Sequence, residues 1–373
     1  MAKTPAVKRE TSSRREGPGV GTLGLATATP TRRKKVPVER EYVGIDLHRR
    51  RSVIVRMSAS GEKLSCVRLA NDPVALSLEV AKAGPDPDVV IEACYGWYWL
   101  VDLLQAQGAK VHLAHPAGLG WEGRRVKNDE IDATDLVDRL RMGRLPEAWI
   151  APPAVRELRE LVRYRAKLVA LRSGLKAQVH AVMAKQGILP GLDDMFGPGG
   201  QRLLDEMPFD PVYRVRVESL RHMIGRYDDE VAALEREIHT WLRDDKGYWA
   251  IQAIDGVGKT MAAIFVAEIG DVSRFPTPDK LCCWAGLTPR HRESDTKVSR
   301  GAITKMGSTL VRWAAVEAVA RYRGGEPIRD AYERIAARRG RRVARVAAAR
   351  RLLTLVYFGL RDGEIRCLAE RAG

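Results

Sequence analysis

The chain has 373 residues and a mass of 41.5 kDa, a length that predicts two or three domains and excludes a single small module. Hydrophobic residues make up 45% of the chain and charged residues 29%, as in soluble globular proteins, so most of the chain can bury a core. The formal net charge of +16 and a sequence pI near 9.8 favour a polyanionic partner, with nucleic acid as the first candidate and a membrane surface as the second.

The hydrophobic runs are too short for a membrane protein, because Arg, Asp or Glu interrupts each one before the roughly 18 to 20 residues that span a bilayer. The basic N-terminus lacks the apolar core of a secretory signal, so we expect a cytoplasmic protein, associated with the bacterial nucleoid and without a membrane partner. The five cysteines are odd in number and lack C-x-x-C spacing, so we interpret them as buried thiols rather than zinc ligands.

Residues 1–40 and 41–152 differ sharply in pattern. Residues 1–40 are rich in Pro, Gly, Lys and Arg and lack apolar periodicity, which predicts a disordered basic tail. Short β-branched runs then predict strands at 42–47, 52–57, 64–69, 88–92 and 110–114, with helices at 74–83, 97–107 and 129–142. This order places three meandering strands beside two buried strands that are reached through helical crossovers. It predicts an α/β RNase H-like (RuvC-like) mixed-sheet domain at 41–152.

Residues 153–245 predict a helical coiled-coil segment that serves oligomerisation. A first helix carries apolar residues spaced by three or four, namely Leu161, Tyr164, Leu168, Leu171, Leu175, Val179 and Val182. A second helix has the a/d spacing of a coiled coil at Leu220, Ile224, Tyr227, Val231, Leu234, Ile238 and Trp241. The Gly- and Pro-rich stretch 187–211 predicts a loop between them. The helices pack on each other or on another subunit, and we place the assembly surface on the second seam.

Residues 246–373 predict a mainly α-helical C-terminal domain that ends in basic helices. Eight arginines and no acidic residue lie between Arg334 and Arg351. Such a concentration of one charge indicates phosphate binding rather than an ordinary solvated helix surface. The candidate nucleic-acid contacts are Arg338, Arg339, Arg341 and Arg342.

A second phosphate-binding candidate precedes a predicted helix at 261–269. Gly256 and Gly258 either present backbone N–H groups to a phosphate or form a tight turn into the helix. The sequence Gly258-Lys259-Thr260 does not complete a nucleotide-binding P-loop, because Ala253 stands where that motif requires glycine. Nucleotide binding at this turn is therefore excluded.

Carboxylates on predicted strands indicate a catalytic centre. Asp46 lies near the middle of the first strand and Glu92 at the end of the fourth, where a charge needs a partner or a metal. Asp129 and Asp132 are three apart on one helix face and can lie over them. Clustered carboxylates repel one another, and two Mg²⁺ ions per site would supply the compensating charge that phosphodiester cleavage uses. Spacing alone leaves Asp132 with Asp135 as an equal alternative.

Three stretches of this domain form an ordered set, namely Gly44-Ile45-Asp46-Leu47-His48, Ile91-Glu92-Ala93 and Lys127-Asn128-Asp129-Glu130-Ile131-Asp132-Ala133. They resemble the motifs of DEDD transposases with a RuvC-like domain, the insertion-sequence family numbered one hundred and ten. In the family motif K-x-D-x-x-D-A both Asp residues bind metal, which implies Asp129 and Asp132 here. Further blocks at 254–271 and 285–290 resemble the family's C-terminal transposase domain, so the resemblance covers about 41–320.

The resemblance implies that a serine of the C-terminal domain attacks DNA and forms a covalent phosphoserine link, assisted by the metals of the other domain. By its position after Pro289 this serine is Ser294, with Ser299 as the rival nucleophile. The family usually places glycine directly after the serine, whereas Asp295 stands here. Nearby cations would favour the alkoxide and stabilise developing charge. The candidate nucleic-acid contacts of this segment are Arg290, Arg292, Lys297, Arg300 and Lys305.

The resemblance therefore implies a DNA transposase or recombinase that excises and inserts an insertion sequence, with element-end DNA and target DNA as substrates. It also implies a noncoding bridge RNA as a guide that pairs with both DNAs. Because each cleaved strand needs its own nucleophile, we expect a homodimer or homotetramer. The alternative is a RuvC-type metal-dependent endonuclease that hydrolyses branched DNA with water, in which the C-terminal domain only binds.

Overall fold

The structure is a computed structural model that describes residues 40–121, 128–189, 191–192, 194–295, 297–324 and 328–369. Residues 1–39 of the predicted basic tail lie outside these ranges. The chain divides into two compact units, the first ending at Trp149 and the second beginning at Ile150. Within the described ranges, no helix combines the length and apolar character needed to cross a membrane.

The first unit is built on a mixed sheet whose strands lie in the order β3-β2-β1-β4-β5-β6. The strands are β1 (Glu41–Leu47), β2 (Arg51–Ser58), β3 (Lys63–Ala70), β4 (Asp88–Glu92), β5 (Lys110–Ala114) and β6 (Glu147–Ala148). Strand β4 runs parallel to both β1 and β5, whereas the other pairs are antiparallel. The mixed sheet predicted from the element order is confirmed, and it fits an RNase H-like domain. The two-residue strand β6 is too short to leave a sequence pattern.

Helices connect and cover this sheet, namely α1 (Pro73–Ala81), α2 (Trp97–Ala106), α3 (Pro116–Leu119) and α4 (Asp129–Arg141). The central strands are buried almost throughout, as expected for strands with packing on both faces. Helix α4 packs closely on β1, where a Cβ at Gly44 would lie 2.4 Å from the Ala133 carbonyl oxygen. Glycine is therefore required at position 44 by the approach of this helix.

The second unit begins with two long helices, α5 (Pro153–Lys185) and α7 (Pro211–Leu242). Ion pairs join Arg165 to Glu235 and Arg172 to Asp228, so the two helices run antiparallel to each other. Between them lies α6 (Pro198–Glu206), where the sequence predicts only a loop. The loop prediction is wrong at this point because Pro198 occupies the first helical turn, where proline is tolerated, and Leu204 is fully buried.

The seams of these helices pack largely within the chain. Leu220 and Ile224 are buried with residues of α5 and α6 in one cluster, and Ile238 joins the core of the C-terminal part. On α5, however, the predicted seam residues Tyr164 and Leu171 are exposed. Most of the α7 seam, where we placed the assembly surface, is thus covered by the chain itself, whereas Trp241 near its C-terminal end is exposed.

The rest of the second unit is mainly helical, as the sequence predicts. Its helices are α8 (Lys246–Gln252), α9 (Lys259–Ile269), α10 (Pro278–Trp284), α11 (Thr309–Arg321), α12 (Ile328–Arg339), α13 (Arg341–Asp362) and α14 (Arg366–Ala369). A hairpin of β7 (Pro289–Ser294) and β8 (Lys297–Ile303) was not predicted, since its residues are polar and lack an apolar alternation. The prediction of buried cysteines is also wrong, because Cys282 is buried but Cys66, Cys283 and Cys367 are exposed.

Candidate active site

The sheet brings Asp46 and Glu92 side by side. Strands β1 and β4 are parallel, and the last pair in their register is Ile45 with Ile91. The next residues along the two strands are Asp46 and Glu92, which therefore lie on the same face of neighbouring strands. Burial, together with the negative charges of Glu92 and Asp46, raises the pKa of the Cys94 thiol, so one thiol lies within electrostatic reach of both carboxylates.

His48 joins this centre, although the sequence interpretation left it out. Its Nε2 lies 3.0 Å from Asp46 Oδ2 and 3.3 Å from Asp129 Oδ1. One ligand atom of each of these three residues falls within 4.8 Å of the others. The available signal was the spacing of two between Asp46 and His48, which places both side chains on one face of an extended chain. Asn71 fixes the turn, because its Nδ2 donates a 2.7 Å hydrogen bond to the His48 carbonyl.

Helix α4 delivers the remaining carboxylates from its first turn. Asn128 caps the helix, with its Oδ1 accepting a hydrogen bond from the Glu130 backbone N–H at 2.9 Å. Asp129 and Asp132 lie one turn apart, and Asp132 is buried. Glu130 points elsewhere, since its carboxylate forms a 2.6 Å ion pair with Lys63 on β3. Acidic residues are favourable in a first helical turn, so the local sequence is consistent with this placement. Lys127 of the motif lies outside the described residues.

The alternative metal ligand Asp135 is held in a structural network. Its Oδ2 accepts hydrogen bonds from Trp121 Nε1 at 2.9 Å and from Arg139 Nε at 2.7 Å. Asp138, one turn away, forms a 2.6 Å ion pair with Arg141. The geometry thus favours Asp129 and Asp132 over Asp135 as partners of Asp46.

The electrostatics of the centre suit a divalent cation. Burial raises the pKa of Asp46 above its ordinary value, and His48 opposes this shift while the charges of Asp129 and Asp132 add to it. Several carboxylate oxygens around a buried aspartate form the donor set that Mg²⁺ prefers, and an imidazole extends it to transition metals such as Mn²⁺. The side chains of Asp46, His48 and Asp129 therefore fit a candidate metal site, and Asp132 lies close enough to influence the charge of Asp46.

Ser294 lies at the end of the β7–β8 hairpin and is exposed. In the register of this hairpin Ser294 pairs with Lys297, and Arg292 pairs with Ser299. Paired residues of neighbouring strands share a face, and successive residues of one strand alternate between the two faces. These four side chains therefore lie on the same face of the hairpin. Both candidate nucleophiles are thus presented together with two cations. Asp295 has φ +52°, the left-handed conformation that Asp tolerates, which explains how the turn forms without glycine.

The cations of this segment are available to an external anion. Among the described residues, the structure shows no ion pair for Arg290, Arg292 or Lys297, and all three are exposed. Lys305 is exposed just after β8. Arg300 pairs with His291 in the register, and its side chain lies outside the described part of the chain, as does Thr296.

The two glycines before α9 have different roles. Gly256 has φ +81°, and a Cβ there would lie 2.4 Å from the Ala318 carbonyl oxygen, so a tight turn and close packing explain this residue. Gly258 caps α9 without a side-chain hydrogen bond, and a Cβ there would meet open space. Of the two, only Gly258 retains the phosphate-binding interpretation.

The candidate arginines 338, 339, 341 and 342 lie where α12 ends and α13 begins. Gly340 separates the helices with φ +81°, and all four arginines are exposed. None of them has an ion pair with another described residue. The positive charge of this junction is therefore not used within the described parts of the chain.

An RNase H-like sheet with a carboxylate-rich centre, followed by a basic helical unit, is typical of proteins that act on nucleic acids. The family described as "Transposase IS116/IS110/IS902 family" matches residues 249–333. The model of the DEDD transposases of the IS110 type, described as "Transposase", matches residues 43–187. The chain belongs to this IS110-type family of DEDD transposases.

Curated relatives agree with this assignment. A protein of Sinorhizobium fredii named as transposase y4qE is 30% identical over 61% of this chain and 56% of its own length. The transposase for insertion sequence element IS1328 of Yersinia enterocolitica is 25% identical over 61% of this chain and 69% of its own. An insertion element IS116 protein of Streptomyces clavuligerus is 25% identical over 87% of this chain and 95% of its own. The chain thus spans little more than half the length of the first of these relatives.

Proposed function

We propose that this chain is the transposase of an insertion sequence and that it excises and inserts the element through a covalent phosphoserine–DNA intermediate. The observation that carries the proposal is the exposed Ser294 at the end of a β-hairpin, with Arg292 and Lys297 on the same face. Membership of the DEDD transposase family supports the wider assignment to transposition.

The chemistry is a transesterification at phosphorus. The Oγ of Ser294 forms a bond to phosphorus while one P–O bond of the DNA backbone breaks. The serine hydroxyl gives up its proton, and the departing deoxyribose oxygen gains one. The number of phosphoester bonds is unchanged, so the reverse attack by a DNA hydroxyl can rejoin a strand without an added energy source. Arg292 and Lys297 would bind the phosphate oxygens and stabilise the charge that develops on them.

Asp46, Glu92, Asp129 and Asp132 would hold two Mg²⁺ ions, and bound Mg²⁺ would supply Lewis-acid stabilisation of the attacking and leaving oxygens. His48 orients Asp46 and Asp129 from the turn after β1, through its Nε2 contacts to both. Helix α4 holds Asp129 and Asp132 at a fixed distance from the strand because Gly44 allows close approach.

The substrates in this proposal are the element-end DNA and the target DNA, and a noncoding bridge RNA is the guide. The net charge of +16 and the arginines that lack ion pairs support several polyanionic partners. Because each cleaved strand requires a serine, the working form is a homodimer or homotetramer. The expected location is the bacterial cytoplasm, on the nucleoid.

The test is DNA cleavage by purified variants in Mg²⁺ on an element-end DNA with its flanking RNA. Ser294→Ala is expected to abolish cleavage, whereas the matched variant Ser299→Ala, on the same hairpin face, is expected to retain it. Asp46→Asn is expected to abolish cleavage whether the nucleophile is a serine or water. If Ser294→Ala cleaves normally and Asp46→Asn does not, the chain is a RuvC-type endonuclease that uses water, and the serine mechanism is wrong.

A further inference from the structure

A large groove lies in the second unit between the β7–β8 hairpin and helices α10, α12 and α13. Its volume is about 1160 Å³. Apolar side chains such as Leu287, Ile335 and Val346 form part of its wall. Its described lining also includes six arginines and a single carboxylate, Asp279, and the arginines are Arg334, Arg338, Arg339, Arg342, Arg350 and Arg351.

The groove lies against the hairpin face opposite to Ser294. Val298 pairs with Glu293 and therefore lies on the other face from the Ser294–Lys297 pair. A bulge between Pro289 and His291 adds one residue to β8, so Ile303, paired with Pro289, shares the face of Val298. The groove is lined by Pro289, Val298 and Ile303, whereas Ser294 does not line it. The hairpin thus separates the nucleophile from the arginine groove.

Most of the groove arginines have no side-chain partner among the described residues. Among the described residues, the structure shows no hydrogen bond or ion pair for the side chains of Arg334, Arg338, Arg339, Arg342 and Arg351. Other arginines of the same unit do have partners, as Arg165 has in Glu235 and Arg221 has in Asp205. Mutual repulsion of like charges makes such a cluster unfavourable unless an anion binds to it.

Arg350 provides a second observation at the wall of the groove. Its Nε is buried and has no hydrogen-bond partner among the described residues. Its Nη2 lies 3.8 Å from Asp279 Oδ1, a carboxylate that is itself 88% exposed. A partly buried guanidinium with unused hydrogen-bonding capacity is costly, and an anion in the groove would offset that cost.

We propose that this groove binds the sugar–phosphate backbone of a single nucleic-acid strand, at a site separate from the strand that Ser294 attacks. The proposal rests on the proposed function only in taking Ser294 as the nucleophile. A volume of about 1160 Å³ is comparable with the roughly 300 to 1,000 Å³ of ordinary ligand pockets, which is room for a few nucleotides of one strand. Arginines on the rim bind phosphates, and the apolar wall contacts sugars or bases.

The test uses the full chain with a 12-nucleotide strand of mixed sequence, prepared as DNA that carries 4-thiothymidine and as RNA that carries 4-thiouridine, together with the same sequence as a duplex. After irradiation, mass spectrometry identifies the crosslinked peptides. Single strands of either kind are expected to crosslink to peptides of α12 and α13, and the duplex is not. The strand that gives more crosslinked peptide, DNA or RNA, identifies the nucleic acid that the groove binds.

Matched variants locate the site. Arg338→Gln with Arg342→Gln is expected to reduce crosslinking to these peptides about tenfold and to flatten the salt dependence of single-strand binding by about 1.4 in slope, for two lost phosphate contacts. Arg345→Gln removes one positive charge from α13 at a residue that does not line the groove, and it is expected to leave the crosslink unchanged. All of these arginines are exposed, so the variants are expected to fold.

The separation of the two sites is tested by Arg292→Gln with Lys297→Gln on the Ser294 face. This variant is expected to retain crosslinks to α12 and α13. The proposal is wrong if these crosslinks disappear together with the charges of the Ser294 face, or if the Arg338 and Arg342 variant crosslinks like the original chain. If the Ser294→Ala variant crosslinks in the groove and still cleaves DNA normally, the serine mechanism is wrong. The proposal of a second strand site is not affected by that result.

Discussion

Substitution of Gly44 by alanine tests how the fold positions the carboxylates. A Cβ at this position would lie 2.4 Å from the Ala133 carbonyl oxygen, 2.8 Å from Val137 Cβ and 3.1 Å from the Val137 backbone nitrogen. Two of these atoms belong to the backbone of α4, so no side-chain rotation relieves the clash. The helix must move away from β1, and it carries Asp129 and Asp132 with it.

The expected cost follows from the contact. Forcing an extra methyl group into a packed interior typically costs about 1 to 3 kcal/mol. For a unit of this size, each kcal/mol lowers the melting temperature by about 4 °C, so Gly44→Ala is expected to melt about 4 to 12 °C lower. Divalent metal affinity is expected to fall as well, because Asp129 moves relative to Asp46.

The assay is thermal unfolding of the full chain by calorimetry, with and without Mn²⁺. The matched control is Gly96→Ala at the start of α2, where a Cβ would meet nothing within 4 Å and φ is −105°. This control is expected to change the melting temperature by about 1 °C or less, because no atom is displaced. If Gly44→Ala unfolds like the original chain and retains its metal-induced shift, the close approach of α4 does not position the carboxylates.

Three further predictions concern charge. Asp46→Asn is expected to remove most of the increase in melting temperature that Mn²⁺ or Mg²⁺ produces, as followed by calorimetry, and an unchanged increase would exclude Asp46 as a ligand. Glu268 is buried and bound bidentately by Arg163 at 2.7 and 3.1 Å, so Glu268→Gln is expected to lower the free energy of unfolding by about 1.5 to 3 kcal/mol in urea titrations. Burial alone would raise the pKa of Asp88, but hydrogen bonds from Arg40 and His112 outweigh it and lower the pKa. The Asp88 carboxylate thus stabilises the fold above the ordinary aspartate pKa, and this stabilisation is lost as the pH falls through the lower pKa of the folded state. Asp88→Asn is therefore expected to lower the free energy of unfolding at pH 7 but not in strong acid, as measured by urea titrations at each pH.

Much of the first unit could be predicted from local pattern. The strands predicted at 88–92 and 110–114 have the observed bounds of β4 and β5. Asp46 and Glu92 were expected to converge if the first and fourth strands are neighbours, and the parallel pairing of β1 with β4 meets that condition. These features depend on short stretches of sequence and on general rules of connection.

Other features depend on contacts between distant residues and left no local signal. In the sequence His48 is an ordinary polar residue of a turn. Its place in the candidate site is recognised only in the structure, where Asp129 of α4 lies beside it. Asp129 and Asp135 are equivalent by spacing, yet Trp121 and Arg139 bind the latter. Likewise, eight arginines near the C-terminus predict phosphate binding, but only the register of the hairpin separates their groove from Ser294.

The most direct test of the account is the identity of the atom that bonds to DNA. The full chain is incubated with Mg²⁺, element-end DNA and flanking RNA, quenched, digested and analysed by mass spectrometry for nucleotide adducts. A phosphoserine adduct at Ser294, present in Ser299→Ala and absent in Ser294→Ala and Asp46→Asn, is the predicted result. Cleaved DNA without any protein adduct would contradict the serine mechanism, and an adduct at Ser299 would assign the reaction to the other serine on the same face.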